Sequence, residues 1–195
     1  RIESVDLENR HITLAYPELS GICQGDSIRL PHFYFENIPE EIDHIGEYWI
    51  DRKNALIYFL GDEDLSGLML TSLETPMIEV NDTSNINFED LNFSFGRNHG
   101  IVINKCQEIT VNRCQLSNFS KGGIDASGKY IQILNSHVHG VGAFGIRLKG
   151  GNLSSLEPAD NEVINCHIHD FGWEQKSQMA AVSIYGVGHR VAHNE

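Results

Sequence analysis

The chain has 195 residues, 41% hydrophobic and 21% charged, which suits one globular domain and not a disordered tail. Asp and Glu number 27 against 14 Lys and Arg, a formal net charge of −13. That balance argues against a nucleic-acid partner, because phosphate contacts need clustered cations. No apolar run reaches the ~18 residues of a membrane span, and the four cysteines (Cys23, Cys106, Cys114, Cys166) lack zinc-site spacing and read as small buried thiols.

Residues 1–74 are irregular and β-rich. The first thirty predict one imperfect coil, Phe33-Tyr-Phe35 a strand, and Asn37-Ile-Pro-Glu-Glu41 a loop. Glu47–Ile50 and Leu56–Leu60, separated by the polar Asp51–Ala55, predict a β-hairpin over 47–60.

From residue 75 to 195 the chain repeats. Short alternating strands begin at Ile78, Ile101, Ile124, Ile146 and Val182, at intervals of 23, 23, 22 and 36 residues. A second column runs through Ile86, Ile109, Ile131, Glu162 and Arg190, and a third through Leu91, Cys114, Ser136 and Cys166. Period-two alternation buries one face of each strand and wets the other. Three strands in about 22 residues, with no helical period, predict an all-β fold, a right-handed parallel β-helix. A β-sandwich, the alternative, would show uneven spacing and hairpin turns. Gly100, Gly123 and Gly145 precede the first-column strands and predict corners with permissive backbone angles. Asn135 and Asn165 predict an asparagine stack serving turn backbone. The longest interval comes from an insertion near 150–161, carrying Pro158, which predicts a protruding loop. A start at Arg1 and an end inside the repeat predict a piece of a longer protein.

Several segments resemble a known group. They are Phe35–Asp43, Gly46–Asp51 with Leu56–Phe59, Gly145–Gly151, Asn161–Gly172 and Gly186–Asn194. Together they are similar to secreted bacterial β-helix carbohydrate-active enzymes, in which glycoside hydrolases of the fucosidase and xylanase type share an architecture with polysaccharide lyases. The resemblance implies a secreted or periplasmic protein acting on polysaccharide, with no cofactor. It covers mainly residues 33–195 and speaks more to fold than to reaction, because one scaffold hosts many chemistries.

The outward positions supply the chemistry. Val102, Asp125, Arg147 and Ser183 form one stripe of the first column, with Asn104, Ser127, Lys149 and Tyr185 two residues further on. Asp125, Arg147 and Lys149 thus share an exposed face suited to an extended glycan; the bland reading is an ordinary cross-coil ion pair. In the third column His137, His139, His167 and His169 project from one face, followed by Asp170, Trp173 and Glu174. These are read as substrate-binding or proton-transfer groups, with Asp170 orienting a histidine. A metal is set aside because a flat sheet favours imidazole pairs, and a solvated ladder is the bland reading. Trp173 offers a flat ring to a sugar.

Hydrolysis needs two carboxyl groups. Asp125 is the first, with Asp170 or Glu174 as the second and Glu157 behind them. Elimination would instead use Lys149, Arg147 or a histidine as the base. The negative net charge disfavours a polyanionic substrate and tips the balance to hydrolysis of a neutral or weakly acidic glycan. A non-catalytic adhesin is the third reading, and the mixed ionisable cluster speaks against it.

Overall fold

A computed structural model describes residues 2–15, 35–61 and 64–195 and divides the chain into two compact units, Arg1–Ser66 and Gly67–Glu195. No helix among the described residues is long and apolar enough to cross a membrane.

The first unit is built on two antiparallel hairpins. β1 (Ile2–Asp6) pairs with β2 (His11–Leu14), and β3 (Tyr48–Asp51) pairs with β4 (Leu56–Phe59). Both turns use one device. Asp6 and Asp51 each accept backbone N–H bonds from two and three residues on, and each takes the side-chain amide of an asparagine, Asn9 or Asn54. The next residue, Arg10 or Ala55, then takes a left-handed angle. These donors hold both carboxyls below their usual range. Residues 2–14 form a hairpin because the Asp-x-x-Asn turn closes the chain back on itself; residues 16–30, over which the expected coil also runs, lie outside the described residues. Phe33 and Tyr34 lie outside the described residues, and Phe35 is not in a strand. The 37–41 loop contains a short 3-10 turn, Pro39–Glu41.

The second unit is a parallel coil. Its strands are β5 (Ile78–Asn81), β6 (Ser84–Glu89), β7 (Asn92–Gly96), β8 (Ile101–Asn112), β9 (Gln115–Phe119), β10 (Ile124–Leu134), β11 (His137–Val141), β12 (Ile146–Gly150), β13 (Asn161–Ile164), β14 (His167–Phe171), β15 (Val182–Gly186) and β16 (His189–Ala192). Every pairing among them is parallel, which excludes the antiparallel sandwich. The first and second columns merge into one eight-stranded sheet, because β8 and β10 run through both, while β7, β9, β11 and β14 form a separate four-stranded sheet. Both sheets bury their inner faces in one core, including Ile101, Ile124 and Ile146 from the first column, Ile109, Ile131 and Val163 from the second, and Leu116 and Val138 from the third. Cys106, Cys114 and Cys166 are buried free thiols. Leu91, although aligned with Cys114, is exposed.

The corners differ from expectation in mechanism. Gly100, Gly123 and Gly145 have no left-handed angle; they are needed because consecutive coils nearly touch. A Cβ on Gly123 would sit 2.8 Å from the Gly145 carbonyl oxygen and 2.4 Å from Val138 Cγ1. Left-handed angles fall elsewhere, in columns of their own. One is Asp90, Arg113, Asn135, Asn165 and His193; another is Asn85, Glu108, Tyr130 and Asp160. A third, inside the third strand, is Phe95, Asn118, Gly140 and Asp170. The asparagines also act differently. Asn165 donates to Asn135 (2.8 Å), and Asn135 donates to Asn112 (2.9 Å), so they bond each other and not turn backbone. The backbone role falls to Ser136 and Asn194, which accept the Cys114 and Cys166 N–H groups.

The insertion projects only in part. Asn152 bridges Glu157, Glu157 pairs with Lys129, and Ala159 returns to the stack fully buried.

Candidate functional site

The eight-stranded sheet carries the first cluster. Parallel register places Asp125 of β10 opposite Arg147 of β12, and Lys149 opposite Tyr185 of β15. Asp125 has 18% side-chain exposure and is held by two cations: Lys149 Nζ lies 3.0 Å from Oδ1, and Arg147 Nη1 lies 3.4 Å from Oδ2. The Arg147 guanidinium rests on the Phe144 ring, 3.6 Å from its centroid, a contact that fixes its plane. Its Nε is buried and has no hydrogen-bond partner among the described residues. Ser127 is occupied by backbone: it accepts the Lys105 N–H and donates to the Ile103 carbonyl.

Two further residues belong to this face. His99 lies against Phe144, with ring centroids 5.4 Å apart, and its Nδ1 accepts the Gly122 N–H at 2.9 Å. Burial pushes its pKa down, Asp125 and the Gly122 carbonyl (3.3 Å from Nδ1) oppose it, and Lys121 and Arg147 add smaller lowering effects. Glu79 of β5 heads the Asp125 ladder, since it pairs with Val102 and Val102 pairs with Asp125. Two strand spacings put the Glu79 and Asp125 backbones about 9–10 Å apart. The sequence signal for Glu79 was its position 23 residues before Val102 in the repeat; His99 precedes its strand, outside the alternating pattern.

The four-stranded sheet carries the second cluster. His137 and His139 of β11 stand opposite His167 and His169 of β14. The rings stack along the coil axis, with centroids 4.8 Å apart for His137–His167 and 5.2 Å for His139–His169. His137 Nε2 also meets His169 Nε2 at 2.8 Å, and His169 Nδ1 lies 2.8 Å from Asp170 Oδ2. One nitrogen from each of His137, His167 and His169 falls within 4.8 Å of the other two. Three imidazoles converge where a flat sheet predicts pairs, because the diagonal His137–His169 contact adds to the straight stack.

The two clusters are not one site. Asp125 and Asp170 project from different sheets that enclose the same core, and outward side chains on such faces point apart. Asp170 is taken up by His169 and is no second carboxyl for Asp125. Glu174 follows the third strand, its N–H donated to the Gly142 carbonyl. Trp173 and Tyr185 are exposed. A further outward groove of about 600 Å³, between Asn85, Glu108, Tyr130 and Glu162, lies on the second column. Glu162 there already accepts from Gln132 and Arg190.

Neither the comparison with curated proteins nor that with solved structures returned a match. A family model described as a right handed beta helix region matches residues 76–178, the stretch that holds β5 to β14. The chain belongs to this right-handed β-helix family.

Proposed function

We propose that this protein is a polysaccharide-degrading enzyme that hydrolyses an extended, neutral or weakly acidic glycan on the outer face of its first strand column. The carrying observation is the half-sheltered Asp125 carboxylate between Lys149 and Arg147, with Glu79 on the same ladder. Asp125 faces outward between two cations that fix its carboxyl in place, which fits it as the group that positions and activates water. Glu79, exposed and two coils away, fits the acid that protonates the leaving oxygen. A backbone separation of about 9–10 Å leaves room for a water between the carboxyls, the arrangement of inverting hydrolases. A parallel stripe of outward side chains suits a polymer lying along the coil axis, and such a substrate implies action in a secreted or periplasmic setting.

The test is incubation of the protein with a panel of plant and algal polysaccharides. Reducing ends should appear without the ultraviolet absorbance of an unsaturated product. Asp125→Asn and Glu79→Gln should each slow release by about a hundredfold or more. Cleavage that is undiminished in Asp125→Asn overturns the assignment.

Elimination is the second reading, favoured by one observation: Arg147 and Lys149 put two cations side by side on the outer face. Such a pair would neutralise a uronate carboxylate. Unsaturated products would decide for it.

A further inference from the structure

We propose that His137, His167 and His169 form a binding site for a divalent transition-metal ion, with zinc the simplest occupant, on the outer face of the four-stranded sheet. The site is separate from the Asp125 face and does not depend on the reading given to that face.

The sheet builds the site. Val138 and Ile168 point into the core and anchor the two strands, so their flanking histidines must point outward, in register on adjacent coils. A parallel ladder alone would hold the imidazoles one strand spacing apart. Here His137 also leans diagonally to His169, bringing their Nε2 atoms to 2.8 Å, and one ring nitrogen from each of His137, His167 and His169 lies within 4.8 Å of the other two. Two nitrogens bound to one tetrahedral zinc at about 2.0–2.1 Å stand about 3.3 Å apart. The close pair needs to open by about half an ångström, and the third ring to close in by side-chain torsion alone.

The protons are already arranged. A nitrogen pair at 2.8 Å requires one donor and one acceptor. Asp170 Oδ2, at 2.8 Å, takes the His169 Nδ1–H, leaving the His169 Nε2 lone pair free to accept from His137 Nε2–H. A metal ion replaces that bridging proton. His137 moves its proton to Nδ1, and both Nε2 lone pairs then face the ion, with no change in ligand charge.

The Asp170–His169 contact is the carboxylate–imidazole arrangement that fixes ring orientation and raises ligand basicity in metal sites. Asp170 can reach its own neighbour because it occupies a left-handed position within the strand, φ 50°. An all-imidazole donor set selects zinc, nickel or copper over magnesium or calcium. Three protein ligands leave a fourth position for water or for His139, whose Nε2 lies 3.3 Å from Gln115 Nε2. The Asp43, His44 and Glu47 group is a weaker gathering: the Glu47 carboxylate is engaged by the Asp43 and His44 N–H groups.

The experiment is calorimetric titration of zinc chloride into tag-free, chelator-treated protein at a pH where imidazole is neutral. One ion should bind per chain with Kd of about 1 µM or tighter. His137→Gln and His167→Gln should each weaken binding by about tenfold or more, and Asp170→Asn by about tenfold. His44→Ala should leave it unchanged. X-ray absorption of the zinc-loaded protein, which needs no variant, should show three imidazole ligands. Absence of saturable binding below about 100 µM, affinity unchanged in His137→Gln or His167→Gln, loss of binding in His44→Ala, or a zinc shell without imidazole each overturns the proposal.

Discussion

Lys149 reaches diagonally across the sheet to Asp125, Nζ to Oδ1 at 3.0 Å, although the residue paired with Asp125 in register is Arg147. The carboxylate therefore answers to two cations, and removing it leaves both uncompensated on a partly sheltered face. Asp125→Asn should lower unfolding free energy by about 1–2 kcal/mol, between the exposed and buried extremes for ion pairs. Lys149→Met should cost less, about 0.5 kcal/mol, because its side chain is 42% exposed. Urea denaturation of the two variants and the double variant measures the coupling. Strict additivity would mean that the diagonal contact contributes nothing to stability.

The glycines at the first-column corners act through space, not through angle. Gly123→Ala should destabilise by about 2–3 kcal/mol, since the Gly145 carbonyl opposite is backbone and cannot turn away. Gly128→Ala should be worse, combining a left-handed φ of 147° with a Cβ placed 1.9 Å from the Cys106 oxygen. Gly67→Ala, with nothing among the described residues within 4 Å of the added Cβ, should be nearly neutral. Equal midpoints for the three variants in a denaturation series would refute this ranking.

Asn135 sits in the middle of the corner ladder, receiving a bond from Asn165 and giving one to Asn112 at a left-handed φ of 49°. Asn135→Ala loses both bonds and puts alanine, which tolerates a left-handed angle less well than asparagine, at this position, for a cost of about 2 kcal/mol. Asn135→Gly loses the same bonds but relieves the backbone, so it should retain about 1 kcal/mol more than the alanine variant. If the two variants unfold at the same denaturant concentration, backbone angle is not what selects asparagine here.

The coil was legible because two periods coincide: alternation along each strand, and 22–23 residues between Ile101, Ile124 and Ile146. Only one stacking register satisfies both, and Ile124 does pair with Ile101 and Ile146. The left-handed positions were not legible. They include Arg113 between strands and Tyr130 and Asp170 inside them, residues with no shared turn signature, and stacking against the next coil overrides local preference. Glycine misled for the complementary reason, since its commoner role as a hinge hid a packing role. At the site, outward alternation put Asp125 and Arg147 side by side, but it cannot show which faces diverge. Asp170 therefore looked like a partner for Asp125, while Phe144 and His99, both outside strands, went unseen.

His99 makes this face sensitive to acid. Its neutral ring accepts the Gly122 N–H at Nδ1 (2.9 Å); a proton there would break that bond and turn instead to the Gly122 carbonyl, 3.3 Å away. Burial is the largest cause that lowers its pKa from the usual ~6.5; Asp125 and the Gly122 carbonyl oppose it, and Lys121 and Arg147 add smaller lowering effects. Between the lowered folded value and the unfolded one, the unfolded chain binds more protons, so stability rises with pH in that window. The contribution is complete above about pH 6.5 and is lost as pH falls through the unfolded value toward the folded one. Thermal unfolding of the wild type should therefore show Tm falling as the buffer is taken from about pH 7 to about pH 5. His99→Gln should be less stable near neutrality and show a shallower fall. His137 is shifted in the same direction by burial and its histidine neighbours, so the slope should shrink and not vanish. An identical pH slope in wild type and His99→Gln would show that His99 does not couple protonation to the fold.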